Sequence, residues 1–214
     1  MSGIIEKDEL KINPDSDKIA IMVVKASKLS GVICETRSPV PQAGEFRLSL
    51  DPTTIDNKTN LTLRTKTSLP ISSTSSLSLI QGPGEYEVMG IKVRGIVLEK
   101  ESDAKNIRTV YLVKMDGLQL CFLGSIEKDL DEGFLEKIGE VDILFIDGEA
   151  DAKKIISLIK DADPRIVICY SDENAKMLMK EFGQTVEAQD KVSVKKKDLS
   201  EEETKLIWLK EKEK

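Results

Sequence analysis

The chain has no histidine among its 214 residues. That removes the commonest metal-binding side chain and the usual proton carrier near neutral pH. It also removes the base of any Ser–His or Cys–His pair. Aromatic residues are scarce, at 4% with one tryptophan, so a core must be built from Ile, Leu and Val. No apolar run approaches the ~20 residues of a membrane helix. The start, Met1-Ser2-Gly3-Ile4-Ile5-Glu6-Lys7-Asp8, lacks a basic stretch followed by an apolar one. No signal peptide is therefore expected, and a cytoplasmic location follows. There is no basic excess either. The formal net charge is -6, with both signs interspersed over 33% charged residues. That pattern argues for a soluble surface, with neither nucleic acid nor membrane as partner. Cysteines number three, Cys34, Cys121 and Cys169. Their odd number and wide spacing favour buried free thiols over a disulfide.

What is present reads as one α/β domain. At 40% hydrophobic residues the chain is globular, long enough for one sizeable core or at most two small ones. Residues 1–18 are polar, a tail or an edge strand. Residues 19–210 form the domain and 211–214 a charged tail. Ile19 to Val24, Glu45 to Leu50 and Leu61 to Thr65 have strand patterns. The Ser/Thr-rich stretch from Pro70 to Ser78 suggests a loop. Tyr86 to Val88 and Ile91 to Leu98 flank a tight turn at Met89-Gly90. Val110 to Met115 and Leu118 to Leu123 flank Asp116-Gly117, the clearest hairpin signal in the chain. Beyond Gly124, helices alternate with strands. Asp129 is placed as the cap of a helix burying Leu130, Phe134, Leu135 and Ile138. Val141 to Ile146 is a buried strand. Asp151 opens a second helix, which Asp163-Pro164 stops. Ile166 to Tyr170 is another buried strand. Asp172 is placed as the cap of a third helix ending at Gly183. Val192 to Lys196 and Leu206 to Leu209 are late strands. Strands first and strand–helix alternation afterwards fit helices covering sheets.

Gly82-Pro83-Gly84-Glu85-Tyr86-Glu87-Val88, followed by Gly90 and Gly95-Ile96, resembles a small bacterial branch of the metallo-β-lactamase superfamily that reads "GPGEYEV-x-G" and then "GI". The likeness continues in order. Asn106 with Thr109-Val110-Tyr111 is similar to that branch's "N-T-I-Y", and Leu123-Gly124 begins its "LGD". Val141-Asp142-Ile143-Leu144 is similar to "VDVLLI", Pro164 to Ile168 to "PKIVIP", and Lys195-Lys196-Lys197-Asp198-Leu199 to "KKKDL". The resemblance runs from about Leu77 to Leu209. Before that, Asp51-Pro52 reads as its "TDP". It implies a four-layer αββα sandwich.

The resemblance also implies where metal ligands belong. In the family they come from H-x-H-x-D-H after a strand, and a metal-bound water of pKa about 7 is the nucleophile. The matching stretch here is Arg64-Thr65-Lys66-Thr67-Ser68-Leu69-Pro70, with no imidazole, thiol or carboxylate. The Asp of "LGD" falls on Ser125, and the His after the "PKIVIP" strand falls on Ser171. The His after "GI" falls near Glu99 to Glu101. The loop after "LLI" becomes Asp147-Gly148-Glu149-Ala150. Loss of donors in every one of these segments implies loss of the metal site. The residues marking its remnant are Asp51, Arg64, Lys66, Ser125, Asp147 and Ser171. No catalytic residue and no cofactor is expected.

Other chemistries are weaker. Asp51, Glu99, Glu101, Asp147 and Glu149 are oxygen donors for Mg²⁺ or Ca²⁺, but carboxylates in so charged a chain are mostly solvated. Ser125 or Ser171 as a nucleophile has no histidine to serve it. Glu85 and Glu87 share one face of a short strand, and Gly82 and Gly84 have no following Lys-Ser/Thr to make a phosphate cradle. The Lys195 to Lys197 run reads as a solvated strand end. The first functional reading is a non-catalytic member of the family that binds a protein partner or its own copy. A second is a hydrolase with an oxygen-ligand or metal-free site. A third is binding of a small anion at Arg64 and Lys66.

Overall fold

The computed structural model describes residues 22–27, 31–37, 45–71, 78–128, 130–146, 152–200 and 202–210. The expected tail at 1–18, the charged end at 211–214, and Asp129, Asp147, Glu149 and Asp151 lie outside them.

Two sheets pack face to face. The six-stranded sheet runs β13-β1-β2-β3-β4-β6, from β1 (Met22–Ser27), β2 (Gly31–Arg37), β3 (Glu45–Leu50), β4 (Leu61–Arg64), β6 (Leu79–Gln81) and β13 (Lys191–Val194). The eight-stranded sheet runs β14-β12-β11-β10-β9-β8-β7, with β5 (Lys66–Ser68) paired onto β9 as its eighth strand. These strands are β7 (Gly84–Val88), β8 (Ile91–Val97), β9 (Asn106–Met115), β10 (Leu118–Phe122), β11 (Ile143–Ile146), β12 (Ile166–Cys169) and β14 (Lys205–Trp208).

Period-two alternation sorts the side chains of the second sheet. Tyr111, Val113, Leu120, Phe122, Ile143, Phe145 and Ile168 point between the sheets, meeting Phe46, Leu48, Leu61 and Leu63 of the first. Phe122 and Phe145 stack there at 4.4 Å between ring centres. The alternate residues, Val110, Leu112, Cys121, Leu144, Val167 and Cys169, point outward under the helices. β11 and β12 are buried along their whole length, as parallel strands covered on both faces should be. They follow β10 in parallel and carry β14 on their far side.

The helices are α1 (Phe134–Ile138), α2 (Ala152–Ala162) and α3 (Asp172–Phe182). Phe134 and Ile138, Ile155, Leu158 and Ile159, and Ala175 and Leu178 form their buried faces against the second sheet. Two sheets and one helical layer thus give the expected α/β sandwich; among the described residues no helix covers the six-stranded sheet. Its outer face carries an ion-pair row, from Lys25 to Glu35 to Arg47 to Asp56.

Several local expectations are corrected. Ser171, not Asp172, caps α3. Ser171 has extended backbone (φ -104, ψ 134) and accepts from the Asn174 N–H, while Asp172 is already helical. α1 is shorter than its pattern, because Gly133 at its start sits at φ 70. Leu130 therefore lies outside the helix, and Leu135 is 38% exposed rather than inward. Lys196–Asp198 form a single 3₁₀ turn, not the end of a strand. Strand β2 escaped the sequence reading, as did the three-residue β5 and β6. All three cysteines are buried and free. No described helix is long and apolar enough to cross a membrane.

Candidate functional site

The segment corresponding to the family's ligand loop is Arg64 to Pro70, and it continues as strand. β4 pairs in parallel with β3, with Leu50 opposite Leu63. The chain leaving β3 turns at Asp51, which adopts φ 46. Its N–H donates to the Leu63 carbonyl at 2.9 Å. This brings the Asp51 carboxylate to Thr65. One carboxylate oxygen accepts the Thr65 N–H at 2.8 Å and the other accepts the Thr65 hydroxyl.

Thr65 is in turn gripped by the second sheet. Its carbonyl accepts from the Thr109 N–H at 2.8 Å, and β5 continues antiparallel to β9 with Lys66 opposite Arg108. Gly124, just past β10, lies against it. Gly124 has φ 70, and a Cβ there would come within 2.9 Å of the Thr65 hydroxyl oxygen, so a side chain has no room. Tyr111 completes the junction from β9. Its fully buried hydroxyl donates to the Arg64 carbonyl and accepts from the Gly82 N–H, each at 2.9 Å. Asp51, Thr65, Tyr111 and Gly124 therefore join the ends of both sheets, and Thr65 is only 5% exposed.

Burial pushes the Asp51 carboxyl above the usual aspartate range. The two bonds from Thr65 oppose that rise, and so do the positive charges of Arg64 and Arg108. Burial likewise pushes the Tyr111 hydroxyl up.

The residues marked in the sequence divide between several places. Asp51 and Arg64 meet at the junction, Arg64 as the half-buried last residue of β4. Lys66 is exposed on β5 beside Arg108, whose guanidinium lies 3.7 Å from Glu127. Ser125 is half-buried and follows Gly124. Ser171 stands at the start of α3, its hydroxyl engaged by Asn174 at 3.3 Å. Asp147 lies outside the described residues. Sequence reasoning missed Thr65, Tyr111 and Gly124 as a unit. The signal was there in part, as a tyrosine on a strand whose neighbours Val113 and Met115 face the core.

Of the oxygen donors considered for a hard cation, Asp51 holds Thr65 and Glu101 is engaged elsewhere, while Asp147 and Glu149 lie outside the described residues. Glu101 accepts from the N–H groups of Glu127 and Lys128. The carboxylate of Asp131 holds the N–H of Glu99 at 2.8 Å and that of Lys100. Cys121 and Cys169 point to the helical side of their sheet, and burial pushes both thiols up to about 12. Among the described residues no three His, Cys, Asp or Glu side chains come together to hold a metal ion. Zinc and its neighbours need imidazole, thiolate or several converging carboxylates. A threonine clasped by one aspartate, with Arg64 alongside, does not fit them.

The comparisons with known proteins agree with the architecture. No curated protein matches the sequence. A protein of Thermotoga maritima, described as a Zn-dependent hydrolase of the metallo-β-lactamase superfamily, is similar in structure with a TM-score of 0.64. It is 17% identical, over 89% of this chain and 100% of that one. Igni18, a metallo hydrolase of Ignicoccus hospitalis, gives 0.53 at 12% identity, over 81% and 98%. The metallo-β-lactamase fold protein YhfI of Bacillus subtilis gives 0.51 at 10% identity, over 82% and 99%. At such identities the likeness establishes the fold alone. The family described as Beta-lactamase superfamily domain matches residues 36–170, more than half of the chain, and to that family this protein belongs.

Proposed function

We propose that this protein is a non-catalytic member of its superfamily that acts through binding, of a protein partner or of a second copy of itself. The observation that carries the reading is the junction at Thr65. Where the family resemblance places a metal-ligand loop, this chain runs from β4 into β5 with its backbone bonded to β9 and its threonine held by Asp51. A loop free to wrap an ion has become part of the sheet packing. Fold membership alone is a weak warrant for chemistry, and the similar proteins described as hydrolases differ from this chain in more than four residues of every five.

Elemental analysis tests this on protein purified from medium supplemented with zinc, manganese and iron. The expected content is well below one equivalent of each, with a thermal midpoint unchanged by chelator. One equivalent of any of the three, with a midpoint that falls when it is removed, sinks the proposal.

A further inference from the structure

Leu135 is the odd residue of α1. Phe134 and Ile138 bury themselves against the sheet, while Leu135 is turned outward. Among the described residues four large hydrophobics are exposed, and of these Leu135 alone stands on a helix. A lone exposed leucine needs no explanation, but this one borders a groove. The groove lies between α1 and α2 and has a volume of about 500 Å³. Phe134 and Leu158 form its buried apolar floor, with Leu130 beside them and Leu135 as a wall. That is the scale of a pocket for one anchoring side chain and its neighbours.

The charge around this floor is one-sided. Three carboxylates line the groove, from Asp131, Glu136 and Asp161, against one ammonium, from Lys154. Lys154 donates to the Glu127 carbonyl at 3.1 Å. Lys160, next to Asp161 in sequence, pairs instead with Glu181 on α3 at 2.7 Å. Asp131 is fixed at the rim by the N–H groups of Glu99 and Lys100. Glu136 and Asp161 are exposed, and among the described residues neither pairs with a cation.

We infer that this groove docks a partner protein through a large apolar side chain flanked by lysine or arginine. The apolar anchor fills the space over Phe134 and Leu158 against Leu135, and the flanking cations meet Glu136 and Asp161. An apolar centre inside a charged rim is the ordinary anatomy of a protein interface. A second copy of this chain fits less well, because two acidic rims would then face each other. The inference rests on the binding role proposed above and names its surface. The two are tested apart: a protein that carries one equivalent of metal yet docks the segment below loses the earlier reading and keeps this one.

The intact chain is titrated with three blocked peptides, Lys-Lys-Leu-Phe-Lys-Lys, Glu-Glu-Leu-Phe-Glu-Glu and Lys-Lys-Gly-Gly-Lys-Lys. The readout is the amide NMR signals of Gly133, Leu135 and Ser157. Saturable shifts are expected with the first peptide alone. Leu135→Ala should weaken that binding roughly tenfold, through loss of apolar contact. Glu136→Lys with Asp161→Lys should abolish it and admit the acidic peptide instead. These changes fall on exposed side chains, and the remaining amide signals report that the fold is kept. Arg64→Gln with Lys66→Gln, away from the groove, should bind as the parent does. Equal shifts with the acidic or the glycine peptide overturn the inference, as do shifts confined to other residues or no shifts at all. Unchanged binding in L135A or in E136K/D161K overturns it too. Groove signals that move with protein concentration, before any peptide is added, put a second copy there and also overturn it.

Discussion

The Asp51 carboxylate holds Thr65 twice, one oxygen on its backbone N–H and the other on its hydroxyl. The two bonds differ in consequence. Thr65→Val removes only the hydroxyl bond, whereas Asp51→Ala also leaves a buried N–H without an acceptor. An unsatisfied buried donor costs about 1–3 kcal/mol. D51A is therefore expected to lose at least that much stability and clearly more than T65V, measured by urea unfolding of both variants. Equal losses would show that the backbone bond contributes nothing.

The same carboxylate makes stability depend on pH. Its pKa in the folded protein lies above the ordinary 3.8, chiefly through burial. A raised carboxyl binds its proton more tightly folded than unfolded. Its contribution is full below 3.8 and is lost as pH rises through the folded value. Asp116, raised by burial in the same way, adds a slope of the same sign. Exposed Asp103 and Asp172 are lowered, by backbone N–H bonds and by Lys210 respectively, and act in the opposite sense. Relative to Asp51→Asn, the parent should lose stability between pH 3.8 and neutrality. A constant difference in unfolding midpoint across that interval would refute the assignment.

Tyr111→Phe isolates the second half of the junction. The ring stays in the core, but the Gly82 N–H loses its acceptor and the Arg64 carbonyl its donor. The expected destabilisation is again about 1–3 kcal/mol. Hydrogen exchange at the Gly82 amide should quicken by more than at Leu120, which lies on the neighbouring strand and makes none of these bonds. Uniform acceleration of both amides would point instead to global loosening.

The three thiols should be silent in the native state. Cys34, Cys121 and Cys169 are all buried, and burial disfavours the thiolate that reacts. Titration with a disulfide reagent should release no fast thiol from native protein and three equivalents from unfolded protein. A fast equivalent in the native protein would contradict the packing of at least one of them.

Much of the fold was legible because it is local. The Asp116-Gly117 hairpin and the apolar strands β11 and β12 declare themselves over a few residues. Boundaries were harder. Ser171 and Asp172 are both good capping residues, and only the extended backbone of Ser171 decides between them. β2 was missed because its outward positions mix Ile33 and Glu35 and so blur the alternation. At the site, the sequence singled out Asp51 and Arg64 but not Thr65. Its role depends on Asp51, Thr109 and Gly124, which no window of sequence contains together.

The last two strands part company. β13 pairs with β1, Met22 opposite Val194, while β14 lies beside β12 in the other sheet. A stretch of fewer than twenty residues near the end of the described chain therefore finishes both halves of the sandwich. While a ribosome is still making the protein, each sheet keeps an open flank until β13 and β14 have emerged. Such distant pairings form slowly and leave strand edges bare meanwhile. The two strands that complete the sheets are thus the last of the described strands to be made, and the flanks of β1 and β12 that they cover stay open until then.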